Sequence, residues 1–532
     1  MRSIFNRYIL SSSFIIFILL LPILSIAIYS YGGESDTLKH LSETILWGYI
    51  FNTFKLIFFV SLLSLLFGVM SAYITVFYTF RFVSLFSILL ALPFVIPTYI
   101  LGYIYSDILG FFAPLHLLLM KFGIVDKSYF DVLQFNSVVI ILSLGLYPYI
   151  YLIVKSSFLK SSSALLHPAL SLGKSSFGLF FEVILPLSRV AIVGSLSLVI
   201  MEVVNEYGTV SYYGVDTLST AIYTSWFGLN DPKSSAYLSI FAMSIIFVLL
   251  GIEKYSRNGS SYKSEAISKE LKKKELKGLS KLFVYLFLSF PILFGFLIPF
   301  IWILFYSLKY ATKVIDDAFV EVILHSFISS SISAFIIMFL AFFIAYSVRI
   351  HNNNATKYFT KIASIGYSIP GVVIGIGVIS LLGDLDNFLI KLFSLDALIL
   401  SGTLFAILFG YVVRFLAVGL NMSESSFERI SINMNKASRN LGLSYWQTLL
   451  RVEYPLMKKS LLFGFLLVFV DIIKELPLTL VLRPFNYETL ATKTYEYAAN
   501  AMIKESSLYA LIIVILCFIP IIITHAHNKE EK

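Results

Sequence analysis

Twelve stretches of about 20 mostly apolar residues recur along this 532-residue chain, each cut off by a short polar connection. That repeat narrows the possible folds more than any other feature. A helix rising 1.5 Å per residue crosses about 30 Å of hydrocarbon in about 20 residues. The stretches lie near 8–30, 49–76, 84–109, 137–158, 187–208 and 235–252, then 281–308, 324–348, 360–383, 397–420, 459–480 and 507–525. Charged residues make up 13% of the chain and hydrophobic ones 58%, against about 25% charged in soluble domains. A soluble multidomain enzyme and a disordered chain are both excluded. The single cysteine, Cys517, excludes a disulfide framework and a cysteine metal cluster. The expected fold is all-α: a polytopic membrane protein of about twelve spanning helices.

Basic residues orient those spans. With the N-terminus inside, the cytoplasmic segments hold 27 of the 40 Lys and Arg residues. The first stretch follows Arg2 and Arg7, but its apolar core is too long for a signal peptide and no small-residue cleavage site follows. It is expected to be a retained span, with both termini cytoplasmic. The net charge of +9 then reflects topology, and no nucleic-acid partner is needed to explain it.

The segment 253–281 is the only long polar stretch, with nine basic residues against four acidic. It reads as a linker at 253–280 between two repeats, 1–252 and 281–532. Asn52-Thr53-Phe54 and Ala72-Tyr73 recur 273 residues later as His325-Ser326-Phe327 and Ala345-Tyr346. Leu92-Pro93 matches Ile369-Pro370, and the run Asp216–Tyr223 matches Glu488–Tyr495. Six spans per repeat make the repeats parallel, related by an axis along the membrane normal.

A basic cytoplasmic loop follows the fourth span of each repeat. It runs His167-Pro168-Ala169, Gly173 and then Val183-Ile184-Leu185-Pro186 in one, and Lys436-Ala437-Ser438, Gly442 and then Val452-Glu453-Tyr454-Pro455 in the other. Glycine and proline stand 13 residues apart in both, and the glycines are 269 apart. A glycine at positive φ ends one short helix, and the proline constrains the start of the fifth span. The expected unit is a helix–turn–helix that another protein could push. Gly173-Lys174-Ser175 looks like the end of a phosphate-binding loop, but Pro168 stands where its first glycine belongs.

This paired spacing resembles the EAA loop of ABC importer permeases, EAA-x3-G-x9-I-x-L-P, here twice in a fused chain. The resemblance implies a type I importer permease fold and coupling loops at His167, Ala169, Gly173, Leu185, Pro186, Lys436, Ala437, Gly442, Val452 and Pro455. It also implies two copies of a separate ATPase subunit that uses ATP, a periplasmic or lipid-anchored binding protein, and a bacterial inner membrane. This chain itself would be no enzyme and hold no cofactor. The motif's acidic residue is replaced by His167 and Lys436, so the ATPase surface is expected to be compensated, less basic or more acidic than usual.

Ionised groups within spans cost about 2.5–3.5 kcal/mol on insertion scales and suggest function. Glu202 and Glu206 in the fifth span are matched 269 residues later by Asp471 and Glu475, each pair spaced i, i+4. About 24 Å of helical rise separates Pro186 from Glu202, which puts the acids towards an external mouth. They read as an anionic gate or a latch between the repeats, and Lys474 stands three residues from Asp471. The run Asp471-Ile472-Ile473-Lys474-Glu475-Leu476-Pro477, then Leu482-Arg483-Pro484, resembles the D-x-x-K-E-L-P … L-R-P signature of fused ferric-iron permeases. Met201-Glu202 through Gly208-Thr209, the Tyr147–Tyr151 run and Arg414-Phe415 fit the same group. Lys474 and Arg483 join the four acids as gate candidates, and a ferric cargo is implied, with no metal ligands assigned. Thiamine or another small solute on the same scaffold stays open, as does an ion-coupled secondary transporter that uses the acids as a relay. Most of the 33 tyrosines suit interfacial belts, Gly371, Gly375 and Gly377 suit close helix packing, and Arg414 needs a carbonyl or an acid as partner.

Overall fold

The computed structural model describes residues 2–31, 36–110, 117, 120–123, 133–171, 176–257, 273–351, 354–394 and 396–530. In the first half the main helices are α1 (Arg2–Ser30), α2 (Leu46–Phe77), α3 (Thr98–Leu109), α4 (Phe135–Ser171), α5 (Arg189–Asn205) and α6 (Pro232–Arg257). In the second they are α7 (Leu279–Ile292), α8 (Ile298–Val314), α9 (Asp317–His351), α10 (Gly371–Phe393), α11 (Leu404–Glu428), α12 (Ile432–Asn440), α13 (Tyr454–Ile473) and α14 (Ile503–Glu530). Among the described residues the only sheet is a two-residue parallel pairing of Tyr78–Thr79 with Lys274–Glu275. It ties the end of the linker to the turn after α2.

Among the described residues nine helices are long and apolar enough to cross a membrane, or eleven if two bent pairs each count as one span. The segment at 459–480 falls short because α13 carries Lys458, Lys459 and Asp471. The bent pairs are Val83–Val95 with α3, at 91°, and Phe180–Leu187 with α5, at 67°.

Prolines explain several irregularities. A proline has no N–H to give and clashes with the carbonyl four residues back. One π-helical turn precedes Pro186 (Phe180–Ile184), Pro299 (Leu293–Leu297) and Pro455 (Leu449–Glu453). In each, the residue just before the proline bonds the carbonyl five residues back: Leu185 to Phe180, Ile298 to Leu293, Tyr454 to Leu449. The 13-residue Gly-to-Pro spacing thus contains a wide turn at the start of the fifth span.

The proline match in the third spans needs a correction. The 3-10 turns Leu92–Val95 and Ser364–Ser368 each end in an extended isoleucine, Ile96 and Ile369, followed by a proline that caps the next helix. Pro97 has φ −54 and ψ 144, and Pro370 has φ −55 and ψ 140. Ile96-Pro97, and not Leu92-Pro93, therefore corresponds to Ile369-Pro370, at the same 273-residue offset as the second spans.

The repeated sequence motifs meet one another. Thr53 Oγ1 accepts from the Leu218 N–H at 3.0 Å, and Ser326 Oγ accepts from the Leu490 N–H at 2.6 Å. Both bonds seat the capping boxes Thr217/Thr220 and Thr489/Thr492, which open the short helices Leu218–Tyr223 and Leu490–Ala499. The halves also exchange their first helices. α1 packs on α10, where the Pro22 carbonyl oxygen takes the space a Gly377 Cβ would need, and Tyr29 donates to Asp384 at 2.9 Å. The π turn before α8 packs against the first half, with Pro93 3.0 Å from a Gly295 Cβ, and Trp302 Nε1 donates to Asp107 at 2.9 Å. Glycine at 377 and 295 allows these close approaches.

Candidate functional site

The fifth spans end where the halves meet. α5 stops at Asn205 and α13 at Ile473, and each chain then turns into a short helix, Gly208–Tyr212 or Pro477–Leu482. A new helix N-terminus leaves N–H groups unpaired. Glu206 accepts from the Thr209 N–H at 2.8 Å and Glu475 from the Leu478 N–H at 3.1 Å. The second acid of each i, i+4 pair has therefore left the spanning helix and caps the next one.

Around these caps lies a cavity of about 100 Å³. Its lining takes Thr98, Gly145, Glu202, Asn205 and Glu206 from the first half and Arg414, Asp471, Lys474 and Glu475 from the second. Four carboxylates face two cations there. Tyr99, Tyr149, Tyr207 and Tyr367 add phenols. Asn205 Oδ1 accepts from the Gly371 N–H at 2.6 Å, a direct bond between the halves.

The two ends of the cavity are built from exchanged parts. In the second half Arg414 Nε lies 3.3 Å from Glu475 Oε2, and its Nη1 donates to the Ile369 carbonyl at 3.1 Å. The Arg414 partner is thus both an acid and a carbonyl. Room for it comes from Gly371, where a Cβ would stand 2.6 Å from Glu475 Oε1 and 2.8 Å from Arg414 Nη1. In the first half glycine and polar residue trade places. Gly145 occupies the position of Arg414, and Thr98, at the position of Gly371, donates to Glu206 Oε2. Thr209 adds its hydroxyl to Glu206 at 2.9 Å. Glu475 therefore has a cation against it, whereas Glu206 is held by two hydroxyls and one N–H.

The remaining candidates divide. Lys474 Nζ pairs with Asp471 at 2.8 Å and lies 4.5 Å from the centre of the Phe94 ring. Glu202 accepts from the Tyr149 hydroxyl at 3.3 Å. Arg483 is elsewhere: it pairs with Glu488 beyond the short helix Pro477–Leu482 and does not line the cavity. The bend before α5 means that the straight rise of about 24 Å from proline to acid applies only to uninterrupted α13. Among the described residues no three His, Cys, Asp or Glu side chains stand close enough to hold a metal ion. Sequence reasoning missed Thr98, Asn205, Tyr99 and Tyr367. Only the i, i+4 spacing of Tyr99 and Tyr103 offered a signal. Tyr103, Tyr147, Tyr151, Tyr346, Tyr411 and Tyr509 are fully buried and belong to the core, outside any interfacial belt.

The loop between α11 and α13 is a helix–turn–helix. Ser431 caps α12, whose end passes through Gly442 at φ +89, and Ser444 and Gln447 form a capping box for Tyr445–Thr448. Glu453, fully buried, pairs with Arg349 at 2.9 Å and accepts from Asn435 of α12 at 3.1 Å. Arg349 also donates to the Phe427 and Ile430 carbonyls. One buried ion pair thus joins α9, α11, α12 and the start of the fifth span. Lys436 and Ala437 are exposed on α12. Val452 and Pro455 belong to the π turn and the first turn of α13, as Leu185 and Pro186 follow the π turn of the first half. Gly173 lies outside the described residues, as do the side chains of His167 and Ala169.

Residues 339–529 match the family model for the inner membrane component of binding-protein-dependent transport systems. The match runs from within α9 to the end of α14, and so covers α12 and the second half of the cavity. The chain is also 22% identical over 480 residues to the Fe(3+)-transport system permease protein FbpB 2 of Haemophilus influenzae, covering 88% of each chain. Both similarities are to membrane components of transport systems, and the all-α arrangement of membrane-length helices agrees with them.

Proposed function

We propose that this chain is the fused transmembrane subunit of an ABC importer and that its cargo is ferric iron. The observation that carries the cargo assignment is the oxygen lining of the cavity between the halves, four carboxylates with tyrosine and threonine hydroxyls and no cysteine or histidine. A hard cation prefers such donors. The cavity is well above the ~10–15 Å³ that one water needs, so an ion can enter it with part of its hydration. The similarity to an Fe(3+)-transport system permease protein of Haemophilus influenzae supports the same choice.

In this reading both termini and the linker at 253–280 are cytoplasmic, and the repeats are 1–252 and 281–532. A binding protein delivers cargo on the opposite side. Two copies of an ATPase bind beneath Gly173 and Gly442, ATP closes them, and the loops turn that closure into movement of the repeats. The ATPase subunits, and not this chain, use ATP. By linkage, a loaded binding protein outside favours the closed ATPase inside. A proton or sodium relay is less well supported, because Arg414 and Lys474 already engage Glu475 and Asp471.

Uptake in proteoliposomes tests the assignment. With the ATPase and binding protein present, ferric iron should accumulate only when ATP is hydrolysed, and thiamine should not. ATP-driven accumulation of thiamine without iron would overturn the cargo assignment.

A further inference from the structure

A column of tyrosines leads away from the cavity on the side opposite α12. Tyr99 and Tyr103 share one face of α3, four residues apart, with ring centres 5.8 Å apart. Tyr103 lies 4.8 Å from Tyr212 and 6.4 Å from Tyr495. Tyr207 lies 6.2 Å from Tyr495 and 4.6 Å from Tyr223, which reaches the exposed Phe227 at 4.7 Å. Tyr495 comes from the second half and the others from the first, so the column follows the same junction as the cavity.

Elsewhere in the core, buried tyrosines are satisfied. Tyr147 donates to the Leu90 carbonyl at 2.7 Å, Tyr213 to the Gly102 carbonyl at 2.8 Å, and Tyr411 bonds Thr479 at 2.7 Å. Tyr99 and Tyr103, 5% and 1% exposed, have hydroxyls with no hydrogen-bond partner. A buried unsatisfied hydroxyl costs about 1–3 kcal/mol, so two neighbouring ones need a reason. Tyr99 lines the cavity, and the Tyr103 hydroxyl stands 3.3 Å from the place a Gly208 Cβ would take. The next residue, Thr209, gives both its N–H and its hydroxyl to Glu206. The unpaired Tyr103 phenol thus stands at the start of the helix capped by Glu206, the carboxylate with no cation against it, and Tyr99 lines the cavity that Glu206 shares.

We propose that Tyr99, Tyr103 and Glu206 form a transient oxygen-ligand site for a hard trivalent cation, through which cargo passes from the outer side into the cavity. This rests on the ferric reading above and adds the ligands. Each phenol that ligates the cation releases its proton to water or to Glu206 and regains one when the cation moves inward. The oxidation state of the metal does not change.

Tyr99→Phe and Tyr103→Phe remove only the hydroxyls. The purified full-length chain, titrated with ferric nitrilotriacetate, should develop a visible phenolate-to-iron charge-transfer band. The band should be lost in the double variant and kept in Tyr147→Phe. With ATPase and binding protein in proteoliposomes, the double variant should take up ferric iron about tenfold or more slowly, while ATP hydrolysis stimulated by the binding protein persists and shows that the protein is folded. A wild-type chain that transports ferric iron without the band, or a double variant that transports at the wild-type rate, overturns this site and leaves the proposed function standing. A wild-type chain that moves no ferric iron overturns both.

Discussion

Glu206 and Glu475 hold equivalent positions, cap equivalent helices and have different neighbours. Glu475 and Arg414 are both buried against each other, and removing one partner of a buried ion pair costs about 3–5 kcal/mol because the other is left uncompensated. Glu475→Gln should lower stability by about that amount, and adding Arg414→Met should restore part of it, as read by thermal unfolding of the purified protein. Glu206→Gln keeps an oxygen for the Thr209 N–H, and its amide N–H can donate to the Thr98 hydroxyl, which can turn to accept, so its cost should be within about 1 kcal/mol. It should nevertheless impair iron uptake strongly. If Glu206→Gln transports normally and Glu475→Gln melts like the wild type, the division of labour between these acids is wrong. The sequence made the acids visible, since a 269-residue offset pairs them. It hid their difference, because Arg414 lies 61 residues from Glu475 on another helix. The exchange of Gly145 and Thr98 for Arg414 and Gly371 appears only once those helices are packed.

Within the α12 loop, sequence spacing and structure agree because one glycine decides the turn. Gly442 has φ +89, and an added Cβ there would meet nothing within 4 Å. Substitution therefore costs backbone strain alone, about 1–2 kcal/mol, and leaves the spans untouched. Gly442→Val should uncouple ATP hydrolysis from uptake while the melting temperature falls only slightly. Unchanged uptake would remove the loop's coupling role. Lys436 is exposed on the same helix, so Lys436→Glu should weaken binding of the ATPase, measured by co-purification, if the facing surface is acidic. Tighter binding would show that the surface is basic. The buried pair Arg349–Glu453 beneath this loop was not legible. Its counterparts at the same offsets, Val76 and Ile184, are buried apolar residues, so comparing the repeats conceals the site. The proline register went astray for a local reason: Leu92-Pro93 and Ile96-Pro97 both resemble Ile369-Pro370, and only the backbone separates a turn-forming proline from a helix-capping one.

At the scale of the whole molecule the apolar runs foretold an all-α, multi-pass fold, while the exchange of first helices was out of reach, since helix partners in lipid are chosen by surface fit and not by pattern. That exchange has a consequence. With α1 seated on α10 and the turn before α8 seated on the first half, the halves are interlocked independently of the linker. Cutting the chain between Arg257 and Lys273 should leave both fragments co-purifying through detergent exchange. Separation of the fragments would mean that the linker holds them together. The central proposal is that force enters through the loops from a separate ATPase partner. The direct measurement is ferric-iron accumulation in proteoliposomes carrying this chain with its binding protein, with and without a hydrolysing ATPase partner. Uphill accumulation only when that partner hydrolyses ATP is the predicted result; uphill accumulation without it, sustained by an ion gradient, would contradict the account.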